Sequence, residues 1–329
     1  MNRSRVAEIL DPSRRILVVG EMILDEFIWG KVSRISPEAP VPVVEVLKES
    51  YNAGGAANVA RNLREFVEHV HMLSIAGEDR DAEVLRGLLQ DRGIQLDCVE
   101  TDPMYQTIRK TRVIARTQQV VRVDRERRTS FTDEQRRSVL SRFEQIVPTL
   151  DAIILEDYDK GLLNQPLADA LIAAAGAAGK IVCVDPKPSN PIQWHEITCV
   201  TPNRTEGFRC AGRPWSDPVD PPTEDEALHE VGRILLEKWR CQYVLITLSE
   251  QGMMLYEPGA AAYHIPTRAA EVFDVSGAGD TAIALFTAAL TGGATAREAA
   301  EISNHASGIV VGKLGTAVVH RDELLASFS

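Results

Sequence analysis

Short apolar runs alternate along this chain with longer amphipathic stretches. Ile16-Leu17-Val18-Val19-Gly20 is apolar throughout and closed by glycine, which predicts a strand buried on both faces. Ala152-Ile153-Ile154-Leu155, Ile181-Val182-Cys183-Val184 and Tyr243-Val244-Leu245-Ile246 repeat the pattern, each giving way to polar residues or a turn. Between such runs the stretches around 132–147, 165–178 and 223–239 read as helices. Buried strands alternating with helices predict a mostly parallel central sheet covered on both faces, a three-layer α/β fold. In that class of sheet, ligands gather beyond the carboxyl ends of the strands.

Two segments depart from this rhythm. Residues 41–46, and 107–116 followed by 120–124, alternate apolar and polar positions as exposed antiparallel strands do. They predict a small β lid, drawn from about 30–48 and 107–124, on a single domain spanning residues 1–329. The Pro- and Asp-rich 214–225 stretch reads as a surface loop, and no repeat is visible.

Charge narrows the partners. A formal net charge of -11 opposes non-specific binding to nucleic acid or anionic membranes, so an anionic substrate must meet a local basic patch. Five scattered cysteines without a C-x-x-C pair predict a reducing compartment, with neither disulfide nor zinc site. No signal-peptide pattern follows the arginines near the start, and the Ala-rich segment near 170–178 is too short to span a bilayer. The expectation is a cytoplasmic protein.

The sharpest chemical signal is Asp274-Val275-Ser276-Gly277-Ala278-Gly279-Asp280-Thr281, which leads directly into an apolar run. Its small residues permit a tight bend before a helix begins, and the free N–H groups of a helix start make an anion site. Asp280 at its mouth suits a general base that takes a hydroxyl proton while the amides of Gly277, Ala278 and Gly279 hold a transferring phosphoryl group. Read alone, the same residues also suit an ordinary capped helix after a glycine turn. Earlier, Asn52-Ala53-Gly54-Gly55-Ala56-Ala57-Asn58 places a double glycine before another helix. Gly54 and Gly55 would allow a sugar close to the backbone, and Asn58 would offer its hydroxyls a donor and an acceptor. Asp25, shortly after the first strand, is a second candidate for sugar hydroxyls or a solvated turn residue. His320-Arg321-Asp322, Gly312-Lys313 and the pair His69 and His71 lack the companions that a protein-kinase loop, a Walker loop or a metal site requires.

Together these residues resemble the ribokinase-like (PfkB) carbohydrate kinases, with an early sugar-binding Gly-Gly motif and a late G-A-G-D motif. The resemblance covers about residues 14 to 318. It extends to Asp185-Pro186-Lys187, Thr201-Pro202-Asn203-Arg204-Thr205-Glu206 and Thr247-Leu248-Ser249-Glu250-Gln251-Gly252, each following a predicted strand. It implies ATP as phosphoryl donor and Mg²⁺ organised through Asn203 and Glu206, usually by way of water. Lys187 would reach toward the phosphates, Ser249 and Gly252 would border the nucleotide, and Asn304 would lie near the adenine. A monovalent cation such as K⁺ beside Asp274 and Ser276 is a further implication; a homodimer through the lid is expected separately, because short strands such as 41–46 and 107–116 would otherwise leave unpaired edges in water.

A narrower resemblance lies in Ser33-Arg34-Ile35-Ser36-Pro37-Glu38-Ala39-Pro40-Val41-Pro42-Val43-Val44, which looks like the bacterial D-glycero-D-manno-heptose 7-phosphate kinases. Thr111 to Arg116, Gln118-Gln119 and Arg122-Val123-Asp124 match that subfamily too. It implies a sugar phosphate as acceptor, and, since the chain ends soon after the kinase motifs, a stand-alone kinase without an adenylyltransferase domain. Charge independently favours a phosphorylated acceptor: eight Lys and Arg crowd residues 109–128 of an acidic protein. A strand over 107–116 would put Lys110, Arg112 and Arg116 on one face, converging on a dianion, or else form a solvated face of scattered ion pairs. Lys160, in Glu156-Asp157-Tyr158-Asp159-Lys160-Gly161, is another candidate, although Glu156 and Asp159 depart from the usual Ser and small residue there. The other readings are a kinase of a different sugar and a non-catalytic sugar-phosphate-binding homologue.

Overall fold

The computed structural model describes residues 1–328 except 117, 269–271 and 314. In chain order the strands are β1 (Arg15–Gly20), β2 (Met22–Ile35), β3 (Pro42–Gly55), β4 (His69–Ala76), β5 (Gln95–Thr101), β6 (Ile108–Ala115) and β7 (Gln118–Arg125). There follow β8 (Ala152–Glu156), β9 (Ile181–Asp185), β10 (Cys199–Val200), β11 (Tyr243–Thr247), β12 (Met253–Tyr256) and β13 (Tyr263–Ile265). The helices are α1 (Arg3–Ile9), α2 (Ala56–Arg64), α3 (Arg80–Gln90), α4 (Asp133–Ile146) and α5 (Gln165–Ala177). The remaining ones are α6 (Arg204–Cys210), α7 (Glu226–Trp239), α8 (Ala278–Thr291), α9 (Ala296–Val310) and α10 (Arg321–Ala326).

The larger sheet runs β13-β12-β11-β10-β9-β8-β1-β4-β5 and is parallel from β11 to β5, with β12 and β13 antiparallel at one edge. Its apolar runs are continuous because both faces are covered. Along β1, Ile16 and Val18 enter one core with Val59, Leu85, Phe286 and Ile302, while Leu17 and Val19 enter the other with Phe143, Leu171, Phe208 and Leu235. Helices α1, α2, α3, α8, α9 and α10 thus cover one face, and α4 to α7 the other. Each fully buried Leu, Ile, Val or Phe contributes roughly 1.5–3 kcal/mol relative to exposure.

The second sheet, β3-β2-β6-β7, is the lid. Strand β2 is buried over its first six residues and increasingly exposed beyond, and β7 is exposed along its whole length. The lid is therefore rooted in the core and projects from it. At its root, Arg109 reaches Asp81 on α3 at 2.9 Å and the Thr111 hydroxyl donates to Glu26 at 2.5 Å. The early lid segment is longer than predicted: it comprises two fourteen-residue strands, the second ending in Gly54-Gly55. The pairing of β2 with β6 is parallel rather than antiparallel.

Two helix starts converge above the carboxyl ends of the parallel strands. Gly55, with φ +61, precedes α2, and a side chain there would meet the Glu21 carbonyl oxygen at 2.6 Å. Gly277, with φ +82, precedes α8, where a side chain would meet the Asn58 amide nitrogen at 2.7 Å. Glycine is required at both by conformation and by space.

Candidate active site

Asp280 lies in the first turn of α8 and is 8% exposed. The Asn58 amide donates to its Oδ2 at 2.7 Å, and the Tyr158 hydroxyl donates to its Oδ1 at 3.0 Å. Burial pushes its carboxyl above the ordinary range, opposed by those two donors. Around it the leading N–H groups of α8 have no intrahelical acceptors and carry the positive end of the helix dipole, roughly half a charge. Among the described residues, apart from its chain neighbours and its own helix backbone, nothing lies within 4 Å of the Cβ position of Gly279, so an anion has room at this turn.

Gly279 also lines a cavity of about 120 Å³ bounded by Glu156, Asp157, Asp185, Lys187, Asn203, Glu206 and Thr247. It sits at the carboxyl ends of β8 to β11, where sheet topology predicts a ligand. Asn203 and Glu206 form a capping box on α6: Asn203 Oδ1 accepts the Glu206 N–H at 3.0 Å and Glu206 Oε2 accepts the Asn203 N–H at 3.2 Å. The other Glu206 oxygen accepts from Lys187 Nζ at 2.9 Å. Partial burial opposes the Lys187 charge, yet the Glu206 bond leaves its pKa raised. Glu156 and Asp185 are buried side by side. Burial first, and then the neighbouring carboxyl charges, hold both Glu156 and Asp185 well above the carboxylate range. No N–H or O–H donor from elsewhere among the described residues reaches Glu156 Oε2 or Asp185 Oδ1.

A second cluster of polar side chains lies under the smaller sheet. Asp25, placed on β2 rather than in a turn, is 3% exposed and accepts from Arg112 Nη1 at 2.5 Å. Arg112 also lies over the Phe27 ring, 5.3 Å from its centroid. In register, Asp25 pairs with Lys110 and Phe27 with Arg112, which puts both cations on the Asp25 face. Burial lowers the Lys110 pKa, opposed by Glu126, Asp124 and Asp25 and reinforced by the Lys160 charge. Lys160 Nζ donates to Glu126 at 2.7 Å. Lys110, Arg112 and Lys160 thus gather with Asp25, Asp124 and Glu126.

Several expectations are corrected. Arg116 does not join this face: β6 ends at Ala115, and Arg116 sits exposed in a turn with φ +58. Asn58 is fully buried, donates to Asp280 and accepts from Arg61 Nη1 at 3.4 Å, so its amide is engaged within the protein. The space beside Gly54 holds the Asp25 carboxylate, 2.1 Å from where a Cβ would stand. Ser249, Gly252 and Asn304, expected at the nucleotide, are not among the residues lining the 120 Å³ cavity, which leaves that expectation as it stood. Gly252, with φ +85, abuts the Ile265 carbonyl, and Asn304 Nδ2 donates to the Pro266 carbonyl at 2.8 Å, so both hold the 265–267 segment. Asp274 accepts from the Ser276 N–H at 2.9 Å and the Gly315 N–H at 3.0 Å. Burial opposes its charge, and these bonds outweigh that and keep its pKa low.

Sequence reasoning missed three contributors. Glu21, 1% exposed, accepts the backbone N–H groups of Tyr158, Lys160 and Leu162 at 3.3, 3.2 and 2.9 Å. Its signal was a carboxylate immediately after a buried strand. Tyr158 gave only its place beside Asp157. Arg61 on α2 donates to the carbonyls of Ala53 and Thr316 at 3.1 and 3.4 Å, and burial, then the Arg92 charge, lower its pKa to about 10.

What such an arrangement performs is transfer of a phosphoryl group to a hydroxyl, and the class it defines is that of carbohydrate kinases, phosphotransferases with an alcohol acceptor. Residues 13–322 match the pfkB family carbohydrate kinase, and the chain belongs to that family. It is 42% identical over 312 residues to the "Bifunctional protein HldE" of Paramagnetospirillum magneticum, covering 95% of this chain and 62% of that one. The protein of the same name from Pelobacter propionicus is 40% identical over 327 residues, covering 99% and 66%. The chain thus spans about two thirds of the length of these curated relatives, or slightly less. Among solved structures, Arabidopsis thaliana ribokinase complexed with ribose and ATP superposes with a TM-score of 0.74 at 19% identity, over 96% of this chain and all of that one. Escherichia coli phosphofructokinase-2 in complex with potassium gives 0.74 at 17% identity, over 95% and 97%. The fold is ribokinase-like.

Proposed function

We propose that this chain transfers the γ-phosphoryl group of ATP to O1 of D-glycero-β-D-manno-heptose 7-phosphate, giving the 1,7-bisphosphate, a precursor of ADP-heptose and lipopolysaccharide. The observation that carries this reading is the cationic lid face of Lys110 and Arg112, with Lys160 beside it, gathered around Asp25. A phosphate distant from the reacting hydroxyl would engage those cations and orient the sugar toward Asp280. The roughly 40% identity to bifunctional HldE proteins supports the same reading.

In this mechanism Asp280 accepts the proton of the acceptor hydroxyl as the new O–P bond forms, while the N–H groups at the start of α8 hold the transferring phosphoryl oxygens. Lys187 lies along the cavity toward the donor phosphates. No group of three acidic, His or Cys side chains among the described residues is placed to ligate a metal directly, so Glu206, with Asn203 beside it at the cavity, would hold Mg²⁺ through its waters. When bound, Mg²⁺ neutralises charge between the donor phosphates. Potassium beside Asp274 and Ser276 belongs to the same reading, and equal rates in potassium and in a bulky organic cation would remove it. A second copy of the chain would cover the lid, where Val121, Val123 and Leu47 are 47%, 46% and 67% exposed.

The test is ADP formation across ribose, fructose 6-phosphate, sedoheptulose 7-phosphate and the heptose 7-phosphate, repeated with Arg112→Ala. The heptose 7-phosphate is expected to give the highest kcat/KM, and Arg112→Ala to raise its KM by roughly 1.5–3 kcal/mol while sparing ATP. Equal turnover of the unphosphorylated heptose would remove the sugar-phosphate reading.

A further inference from the structure

Asp280 has two hydrogen-bond donors from two different parts of the chain, and only Asn58 belongs to the motifs that mark a sugar site. The other is Tyr158, in the loop after β8, whose hydroxyl lies 3.0 Å from Asp280 Oδ1. We propose that Tyr158 is a positioning residue for proton transfer at Asp280, and that Glu21 acts behind it by fixing the loop that carries it. This rests on the reading of Asp280 as the base.

The geometry supports the assignment in three ways. Asn58 and Tyr158 each hold one carboxylate oxygen, so together they set the carboxylate plane and leave each oxygen a further lone pair for the acceptor hydroxyl. The phenol is a lasting donor. Burial, then the charges of Asp280, Glu156 and Asp185, push its pKa well above the ordinary value, so it stays protonated and does not compete as a base. Finally, its loop is strained and braced. Asp159 has a φ of +55, and the alternate backbone N–H groups of Tyr158, Lys160 and Leu162 converge on the buried Glu21 carboxylate.

The electrostatic need is plain from the neighbours. Asp25 on β2, Glu156 at the end of β8 and Asp185 at the end of β9 all present carboxyl groups to Asp280 or its surroundings. Burial and then the Asp25 charge disfavour the ionised base, and donors at both oxygens offset this. In the reaction, the acceptor O–H proton moves to Asp280, the acceptor oxygen bonds to the γ-phosphorus, and the bond to the β–γ bridging oxygen breaks to release ADP. A base tilted away from the hydroxyl, or protonated at working pH, slows that step without changing how either substrate is held.

The experiment compares Tyr158→Phe, Glu21→Gln and their double variant with wild type, using whichever sugar wild type turns over best, and includes Asp280→Asn. Tyr158→Phe is expected to lower plateau kcat roughly tenfold and to move the acid limb of the kcat profile up by about half to one pH unit, with both KM values within twofold. Glu21→Gln should move the limb the same way, and the double variant should move it no further. An acid limb unchanged in Tyr158→Phe overturns the proposal, whether kcat is kept or KM and Tm change through a merely structural effect. Substantial turnover in Asp280→Asn would instead remove the base assignment, so the two failures are read separately.

Discussion

Replacing Gly54 by alanine tests whether Asp25 is the sugar-binding carboxylate and whether its position is fixed. A methyl group there would stand 2.1 Å from Asp25 Oδ2 and 2.9 Å from the carboxyl carbon. Ordinary contact begins near 3.4 Å, so the carboxylate must retreat by about 1.3 Å, the difference between the two distances. Gly54 is not among the positive-φ glycines, so the cost is this contact and not backbone strain. The retreat disrupts the bond in which Arg112 Nη1 is 2.5 Å from Oδ1, and the guanidinium, itself seated over Phe27, does not simply follow. Stretching a charge-assisted hydrogen bond costs about 1.5–3 kcal/mol. Leaving a rotamer minimum adds about 0.5–1.5 kcal/mol. A total of roughly 2–4 kcal/mol is then divided between folding and substrate binding. With sugar and ATP varied in turn, KM for the sugar should rise roughly 10- to 100-fold, since 1.4 kcal/mol is tenfold, while KM for ATP stays within twofold. In an Asp25→Ala background the obstruction is gone, and Gly54→Ala should cost nothing further. A wild-type sugar KM in Gly54→Ala, together with an unchanged Tm, would refute the reasoning.

Asp280→Asn should fold and bind ATP but lose about 100-fold or more in turnover, and near-wild-type rates in a pure sample would exclude the base. Because burial raises the Asp280 pKa and the base must be ionised, log kcat/KM should fall with unit slope as pH drops through that raised value and level off above it; a flat acid limb would contradict this. Glu206→Gln keeps an oxygen for the α6 cap but loses a charge beside the cavity, so half-saturation by Mg²⁺ should rise about tenfold in a metal titration, with the sugar KM unmoved. Val123→Asp should convert a lid-mediated dimer to monomer in light scattering, whereas a monomeric wild type would dispose of the dimer.

The central sheet was legible because a strand buried on both faces needs only an unbroken apolar run, and β1, β8, β9 and β11 each supply one. The catalytic turn was legible for a related reason: a helix that must begin at a left-handed residue against another chain segment leaves glycine in the sequence, as at Gly277. The lid was harder, and its errors share one cause. Period-two reasoning assumes an unbroken ladder, but the β2–β3 pairing skips Leu47 on β3 opposite Trp29 and Gly30 and skips Ser33 on β2, which hid the strands. Strand β6 stops at Ala115, and the left-handed turn at Arg116 separates that residue from the face that counting from Lys110 assigns to it. The partners of Asp280 were hidden by distance. Asn58 lies 222 positions away and Tyr158 lies 122 away, and neither residue type announces a bond to a carboxylate. Only the packing of α2 against α8, and the Glu21 brace beneath the 158–162 loop, brings both donors to one acid. A residue whose role is to contact substrate leaves a local motif, because the backbone around it must take a special shape. One that acts through another side chain leaves none, and for that reason the orientation of the base had to be read from its hydrogen bonds.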